Sequence, residues 1–289
     1  MSADPVQIFA EERPNWGPQL VMPEGVEFRR GVPFGTGGGH ELTADVFLPP
    51  AKFTGPRPAM LYIYGGGWQG GTPSHFYRQA ARLAARGIVG VCNVYRLSGE
   101  AIFPAAVEDC KCAVRWMRAA ADEVGIDPER IGVVGGSAGG HLAAMVATTA
   151  GVPELEGEGG HAKFSSAVKL AVPFNPITDC FNFFADGAEP PPWTLKFLGG
   201  TPQEQPNAYH LASPIEFVGP DTPSCLVPHG AGDVTVPHEQ SILFADAMAA
   251  AGRECELVLV EGEPHGFFNW EPSFEPIYAT FERFVLSHI

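Results

Sequence analysis

"RIGVVGGSAGGHLAAM" (Arg130–Met145) runs from a short apolar stretch through a Gly-Gly-Ser-Ala-Gly-Gly cluster straight into a helix-like run. A buried strand has to become a helix here, with serine set among glycines at the turn. Glycine permits backbone angles and close approaches that a Cβ forbids. An ordinary turn that happens to contain serine does not need glycine on both sides twice over. A nucleophile on a strained strand-to-helix elbow does, and the following helix aims its N-terminal N–H groups at developing negative charge. Ser137, in Gly135-x-Ser137-x-Gly139, is therefore the candidate nucleophile.

The alternation of strand and helix continues in both directions. Residues 25–33 and 40–49 read as an antiparallel pair, and 59–64, 88–96, 130–136, 167–174, 224–230 and 254–262 as further strands. Helices are expected over 74–86, 104–125, 138–150, 238–252 and from 273 to the end, with Gly87 and Gly125 as stops and Pro104 at a first turn. The fold class is α/β: a mostly parallel sheet of about eight strands with helices on both faces. From 176 to 214 the pattern gives way to Phe-, Pro- and Gly-rich sequence with little periodicity, expected to be a short inserted cap within one domain spanning 1–289.

Composition narrows the function. A formal net charge of −15, from 33 acidic and 18 basic residues, argues against nucleic acid or anionic membranes as partners. No apolar stretch is long enough to span a bilayer. The start, "MSADPVQIFAEERPNW", lacks the basic and apolar regions of a signal peptide, which predicts a cytoplasmic protein, or a secreted one if a leader was removed. The cysteines at 92, 110, 112, 180, 225 and 255 match no zinc spacing and read as small buried hydrophobes. Neither a metal nor an organic cofactor is called for, and a homodimer is left open.

A serine hydroxyl needs a base, and the base needs an orienting group. Asp233 in "VPHGAGDVTVP" and His265 in "VEGEPHGFFNW" follow consecutive strands, and the order Ser137, Asp233, His265 matches a known triad order. Asp179 in "FNPITDC" is the chief competitor for the acid; His141, His229 and His238 read as structural or pocket-lining. In a parallel sheet such groups collect beyond the carboxyl ends of the strands. The glycine-rich "YIYGGGWQGG" (62–71) also follows a strand, and unhindered glycine amides suit an oxyanion. The expected donors are the amides of Gly66, Gly67 and Ala138.

With these residues in view, the chain resembles an α/β-hydrolase of the hormone-sensitive-lipase-like branch, closest to the bacterial acetyl- and feruloyl-esterase group. The matching pieces include "YGGGW" (64–68), "GIDPERIGVVGGSAGGHLAA" (125–144), "HGAGDVTVPHEQS" (229–241) and "PHGF" (264–267). The resemblance implies an esterase with the triad above and an oxyanion hole in the glycine loop. It departs at Tyr64, where the family usually carries histidine ahead of the glycines. That side chain is expected to hold the loop rather than to react.

The expected reaction is hydrolysis of a carboxylic ester through an acyl-enzyme, with preference for acetyl-sized groups on small-molecule or carbohydrate esters. Phe181, Phe183, Phe184, Trp193 and Phe197 lie in the cap segment, and aromatics either stack on rings or wall an apolar pocket. Trp68, Tyr95, Phe267 and Trp193 are the expected substrate contacts. An amidase of the kynurenine formamidase type, a general short-chain carboxylesterase and a non-catalytic binding protein are the alternatives.

Overall fold

In the computed structural model, residues 4–184 and 189–289 are described, without the side chain of Phe184. The strands are β1 (Glu27–Gly37), β2 (His40–Leu48), β3 (Arg57–Ile63), β4 (Val89–Asn93), β5 (Ile126–Gly136), β6 (Leu170–Phe174), β7 (Ser224–Gly230) and β8 (Cys255–Val260). They form one 8-stranded sheet in the order β1-β2-β4-β3-β5-β6-β7-β8. β2 pairs antiparallel with both β1 and β4, and the remaining pairings are parallel. The chain has the α/β-hydrolase fold.

The helices are α1 (Pro5–Glu12), α2 (Tyr77–Ala84), α3 (Ala105–Ala119), α4 (Ala121–Val124), α5 (Ala138–Thr148), α6 (Pro192–Leu198), α7 (Pro206–Leu211), α8 (Glu239–Ala250) and α9 (Phe274–His288). Alternation along the central strands explains why these read as unbroken apolar runs. In β3, Ala59, Leu61 and Ile63 pack into the core beneath α3 and α5, whereas Met60 and Tyr62 pack into the core beneath α2 and α9. Both faces are covered, so neither parity can be polar. Each fully buried aliphatic or aromatic side chain contributes roughly 1.5–3 kcal/mol.

Several boundaries differ from the sequence reading. The expected helix 74–86 opens as a 3-10 turn (Pro73–Phe76) before α2 begins, and 104–125 is two helices, ended by Gly125 in the left-handed region. Between β6 and β7 the chain is more regular than expected: α6 and α7 each start on a proline, whose fixed φ favours a first turn. α1 was not anticipated; Asp4 caps it by accepting the Val6 N–H. All six cysteines are unpaired; five are buried, and Cys255 is intermediate. Among the described residues, no helix is long and apolar enough to cross a membrane.

His141, in the first turn of α5, links that helix to the end of α7. Its Nε2–H donates to the Ala212 carbonyl at 2.8 Å, and Trp68 and Phe197 meet the ring edge-on. The ring is fully buried, and burial lowers its pKa to about 4, against a small opposing effect of the Ala212 bond. Below about 6.5 the unfolded chain takes up a proton that folded His141 refuses. Its contribution to stability is therefore retained above that value and falls as the pH drops towards 4, by about 3 kcal/mol in all. His141→Met is expected to lower stability near pH 7.5 by about 1 kcal/mol, through the lost hydrogen bond to the Ala212 carbonyl, which keeps only the Cys180 S–H at 3.1 Å, yet to flatten the loss between pH 6.5 and 4. Urea denaturation at a series of pH values checks both parts.

Candidate active site

The loops beyond the carboxyl ends of β3, β5, β7 and β8 converge on one cavity of about 520 Å³. Ser137 stands at the β5–α5 junction with φ 58° and ψ −122°, a conformation that L side chains rarely adopt. Its N–H donates to the Phe174 carbonyl on β6, and its own carbonyl accepts the His141 N–H, each at 2.9 Å. The flanking glycines are there for lack of space. A Cβ on Gly135 would lie 2.0 Å from the Gly139 carbonyl oxygen, and one on Gly139 would lie 2.1 Å from that of Ile63.

His265 Nε2 lies 2.8 Å from Ser137 Oγ, and its Nδ1 lies 2.6 Å from Asp233 Oδ2. The three residues come from loops after β5, β7 and β8. The other carboxylate oxygen, Oδ1, accepts the backbone N–H groups of Thr235 (2.8 Å) and Val236 (2.9 Å). His229 stands behind the acid. Its Nε2 faces two groups that can only accept, the Val236 carbonyl (3.0 Å) and Asp233 Oδ2 (3.2 Å), which puts its proton there and leaves Nδ1 to accept from Ser241 Oγ at 2.6 Å. Burial alone pushes the Asp233 carboxyl up. Hydrogen bonds from His229, His265 and Val236 outweigh that and hold it well below the usual carboxylate range. The acid is ionised at any working pH.

The glycine loop is folded against the elbow. A Cβ on Gly65 would fall 2.5 Å from the Gly136 carbonyl oxygen and 3.1 Å from Ser137 Cβ. Gly66 and Gly67 both have positive φ, and Gly66 C=O is turned to accept the N–H groups of Gln69 and Gly70. Gly66, Gly67 and Ala138 line the cavity with Ser137. Among the described residues, their amides have no protein acceptor.

The competitors fall away from this centre. Asp179 accepts from the backbone and side-chain N–H groups of Asn182, both at 2.8 Å, and makes no contact with His265 among the described residues. His238 precedes α8 as its cap residue. Among the described residues no group of three or more His, Cys, Asp or Glu side chains could hold a metal ion.

Of the expected substrate contacts, two belong to the cavity and two are corrected. Trp193, on α6, lines it above Gly67, whose missing Cβ would sit 3.5 Å from that of Trp193. Trp68 borders it, with its indole buried and stacked on Phe197 at 4.1 Å. Tyr95 lies behind the glycine loop, its O–H donating to the Tyr64 carbonyl at 3.0 Å and its ring stacked on Tyr64. Phe267 turns into the core, and it is Phe268 that reaches the cavity. Gly266, with φ 77°, starts the 3-10 turn that swaps the two. Sequence reasoning missed the opposite wall, made of Trp16, His75, Asn269 and Trp270. Trp270 sits five residues past His265 in the already quoted "PHGFFNW", whereas nothing in the sequence near Trp16 marks it.

The BD-FAE family model matches residues 44–248. Esterase LipQ of Mycobacterium tuberculosis is 32% identical over 224 residues, which are 76% of this chain and 52% of that protein. The chain thus spans about half the length of the curated relatives it matches. Among solved structures, esterase 2 of Thermogutta terrifontis is 32% identical with a TM-score of 0.77, covering 93% of this chain and 96% of that one. That enzyme has also been solved with propionate and with butyrate bound. A truncated carbohydrate esterase from gut microbiota is 28% identical with a TM-score of 0.80, covering 92% and 99%. The elbow, the glycine loop and the sheet that carries them thus belong to a member of the BD-FAE family, in the hormone-sensitive-lipase-like branch of the α/β-hydrolases.

Proposed function

We propose that the chain is a serine carboxylic-ester hydrolase that works through an acyl-enzyme on Ser137 and prefers short acyl groups, with small-molecule or carbohydrate esters as substrates. The observation that carries this reading is the unbroken line of contacts from Ser137 Oγ through the His265 ring to Asp233. Esterases among the relatives on both comparisons support it.

In this reading His265 Nε2 takes the hydroxyl proton as Ser137 Oγ attacks the ester carbonyl. Asp233 keeps the imidazole proton on Nδ1 and stabilises the imidazolium that forms. The amides of Gly66, Gly67 and Ala138 receive the anionic oxygen, preorganised because the loop and helix hold them there beforehand. His265 then protonates the leaving alkoxide, and water, activated by the same ring, releases the acid. Residues 176–214 act as a small cap that brings Trp193 over the loop. A second reading, a general short-chain carboxylesterase without sugar preference, draws on the propionate- and butyrate-bound structures of esterase 2.

Ser137→Ala is expected to leave the protein folded and to abolish turnover of p-nitrophenyl acetate; undiminished turnover would remove the nucleophile assignment. Asp233→Asn is expected to lower kcat by about 10³–10⁴-fold, because an amide can stabilise the wrong imidazole tautomer. Steady-state kinetics beside a thermal melt measures both. Across p-nitrophenyl acetate, propionate, butyrate and hexanoate, kcat/KM is expected to peak at acetate and to fall at least about tenfold by hexanoate, since a methylene in a tight pocket is worth that order of discrimination. A maximum at butyrate with no release of acetate from acetylated xylan selects the second reading.

A further inference from the structure

We propose that His75 is a positioning residue for the oxyanion loop: it accepts the Gly65 N–H and, through Asn269, ties that loop to the segment that carries His265. The inference rests on the assignment of Ser137 and the loop proposed above, and it concerns a residue to which that mechanism gives no role.

The argument begins with one peptide plane. The carbonyl of Tyr64 and the N–H of Gly65 belong to the same peptide bond, which is rigid and planar. The carbonyl accepts the Tyr95 O–H at 3.0 Å. The N–H donates to His75 Nδ1 at 3.3 Å. Two side chains from different elements therefore grip the plane at its two polar ends. This is the plane from which Gly66 and Gly67 hang, and both have the positive φ that gives glycine many alternatives. Fixing the plane removes the first of those alternatives.

The other end of the ring reaches the base. His75 Nε2 lies 2.9 Å from the side-chain amide of Asn269. Gly65 N–H can only donate, so Nδ1 accepts and the imidazole proton sits on Nε2. With the Asn269 and Gln79 amides both in the flipped orientation, Asn269 Oδ1 accepts that proton and its NH2 faces Gln79 Oε1, which otherwise has no partner. Asn269 is in turn held by Arg78 Nη2, which donates to its backbone carbonyl at 2.9 Å. It lies in the 3-10 turn Phe267–Asn269, just beyond His265. One imidazole thus spans the two loops that must keep register for proton transfer and oxyanion binding to coincide.

His75 borders the cavity, yet both its nitrogens are engaged by protein, which leaves none for a substrate. Burial lowers its pKa to about 3, with the nearby charges of Arg13, Arg78 and His265 acting in the same direction. The ring stays neutral, and Nδ1 stays an acceptor, throughout the working range. Phe76 and Phe268 lie nearly parallel to the ring at 5.1 and 6.0 Å between centroids, and Trp16 meets it edge-on.

Two variants separate an acceptor from a mere ring. His75→Phe keeps a flat ring between its neighbours but offers nothing to Gly65. It is expected to lower kcat on p-nitrophenyl acetate by about 30- to 100-fold while KM stays within about twofold, the scale of loss for a misplaced catalytic group. His75→Asn places Oδ1 close to where Nδ1 was and is expected to keep kcat within about fivefold of the wild type. The reverse ranking, or equal losses in both variants, overturns the proposal. If thermal melts show that His75→Phe does not fold, nitrogen-15 spectra of the histidine-labelled wild-type protein decide instead. Nδ1 of His75 is expected to remain unprotonated from about pH 5 to 9, and a proton on Nδ1 overturns the assignment. Normal turnover by His75→Phe beside an inactive Ser137→Ala would sink only the role of His75. Activity in Ser137→Ala would sink the acyl-enzyme reading itself.

Discussion

Ser137 is held in a backbone conformation that costs a residue with a side chain on the order of 1–3 kcal/mol, and the rest of the site is arranged around that constraint. The strain persists because the surroundings define the residue from every side. Gly136 pairs with Phe174 as the last rung between β5 and β6, and the next N–H, that of Ser137, is taken by the Phe174 carbonyl. α5 then begins at once, and its first turns run so close to the ends of β3 and β5 that Gly135 and Gly139 leave no room for a methyl group. Phe268 lies over Gly136 in the same manner. The sheet register therefore sets the angle at which the hydroxyl leaves the chain.

Once the hydroxyl is fixed, the polar groups behind it have to be settled without water. Asp233 is buried, and an unpaired carboxylate there would take up a proton instead of orienting His265. Backbone donors on Oδ1 and two imidazoles on Oδ2 prevent this. His229 is the less obvious member. Because the Val236 carbonyl beside Nε2 can only accept, the ring presents an N–H to the acid, and Nδ1 is left to Ser241. The result is a carboxylate that stays ionised against the His265 ring.

The parts legible in the sequence are those governed by short-range rules. Strand and helix alternation, the glycine-flanked serine and the loops that carry Asp233 and His265 each announce themselves within about ten residues, and the structure brings the three side chains into contact. The illegible parts depend on which way a neighbour turns. Phe267 and Phe268 are equivalent as letters, and the left-handed Gly266 decides which one faces the cavity. Tyr95 follows its strand as a site residue should, but the stacking of its ring on Tyr64 places it behind the loop. The segment from 176 to 214 hid two helices because each is short and begins with proline in a Pro-rich stretch, where periodicity has too few turns to register. Trp16 reaches the site from the far end of the chain, and no local rule connects it to a cavity built after β5.

The substitution at position 64 fits the same geometry. Where the resemblance expects histidine, Tyr64 lays its ring against Tyr95 in the core behind the loop. The imidazole that touches the glycine loop comes from His75, in the turn beyond it. A ring packed behind the loop cannot also reach over to the cavity side, so the two tasks fall to different residues. Tyr64 and Tyr95 secure the carbonyl side of the 64–65 peptide, and His75 secures its amide side. A loop made of glycines has little internal stiffness, and two clamps on one rigid plane supply it from outside.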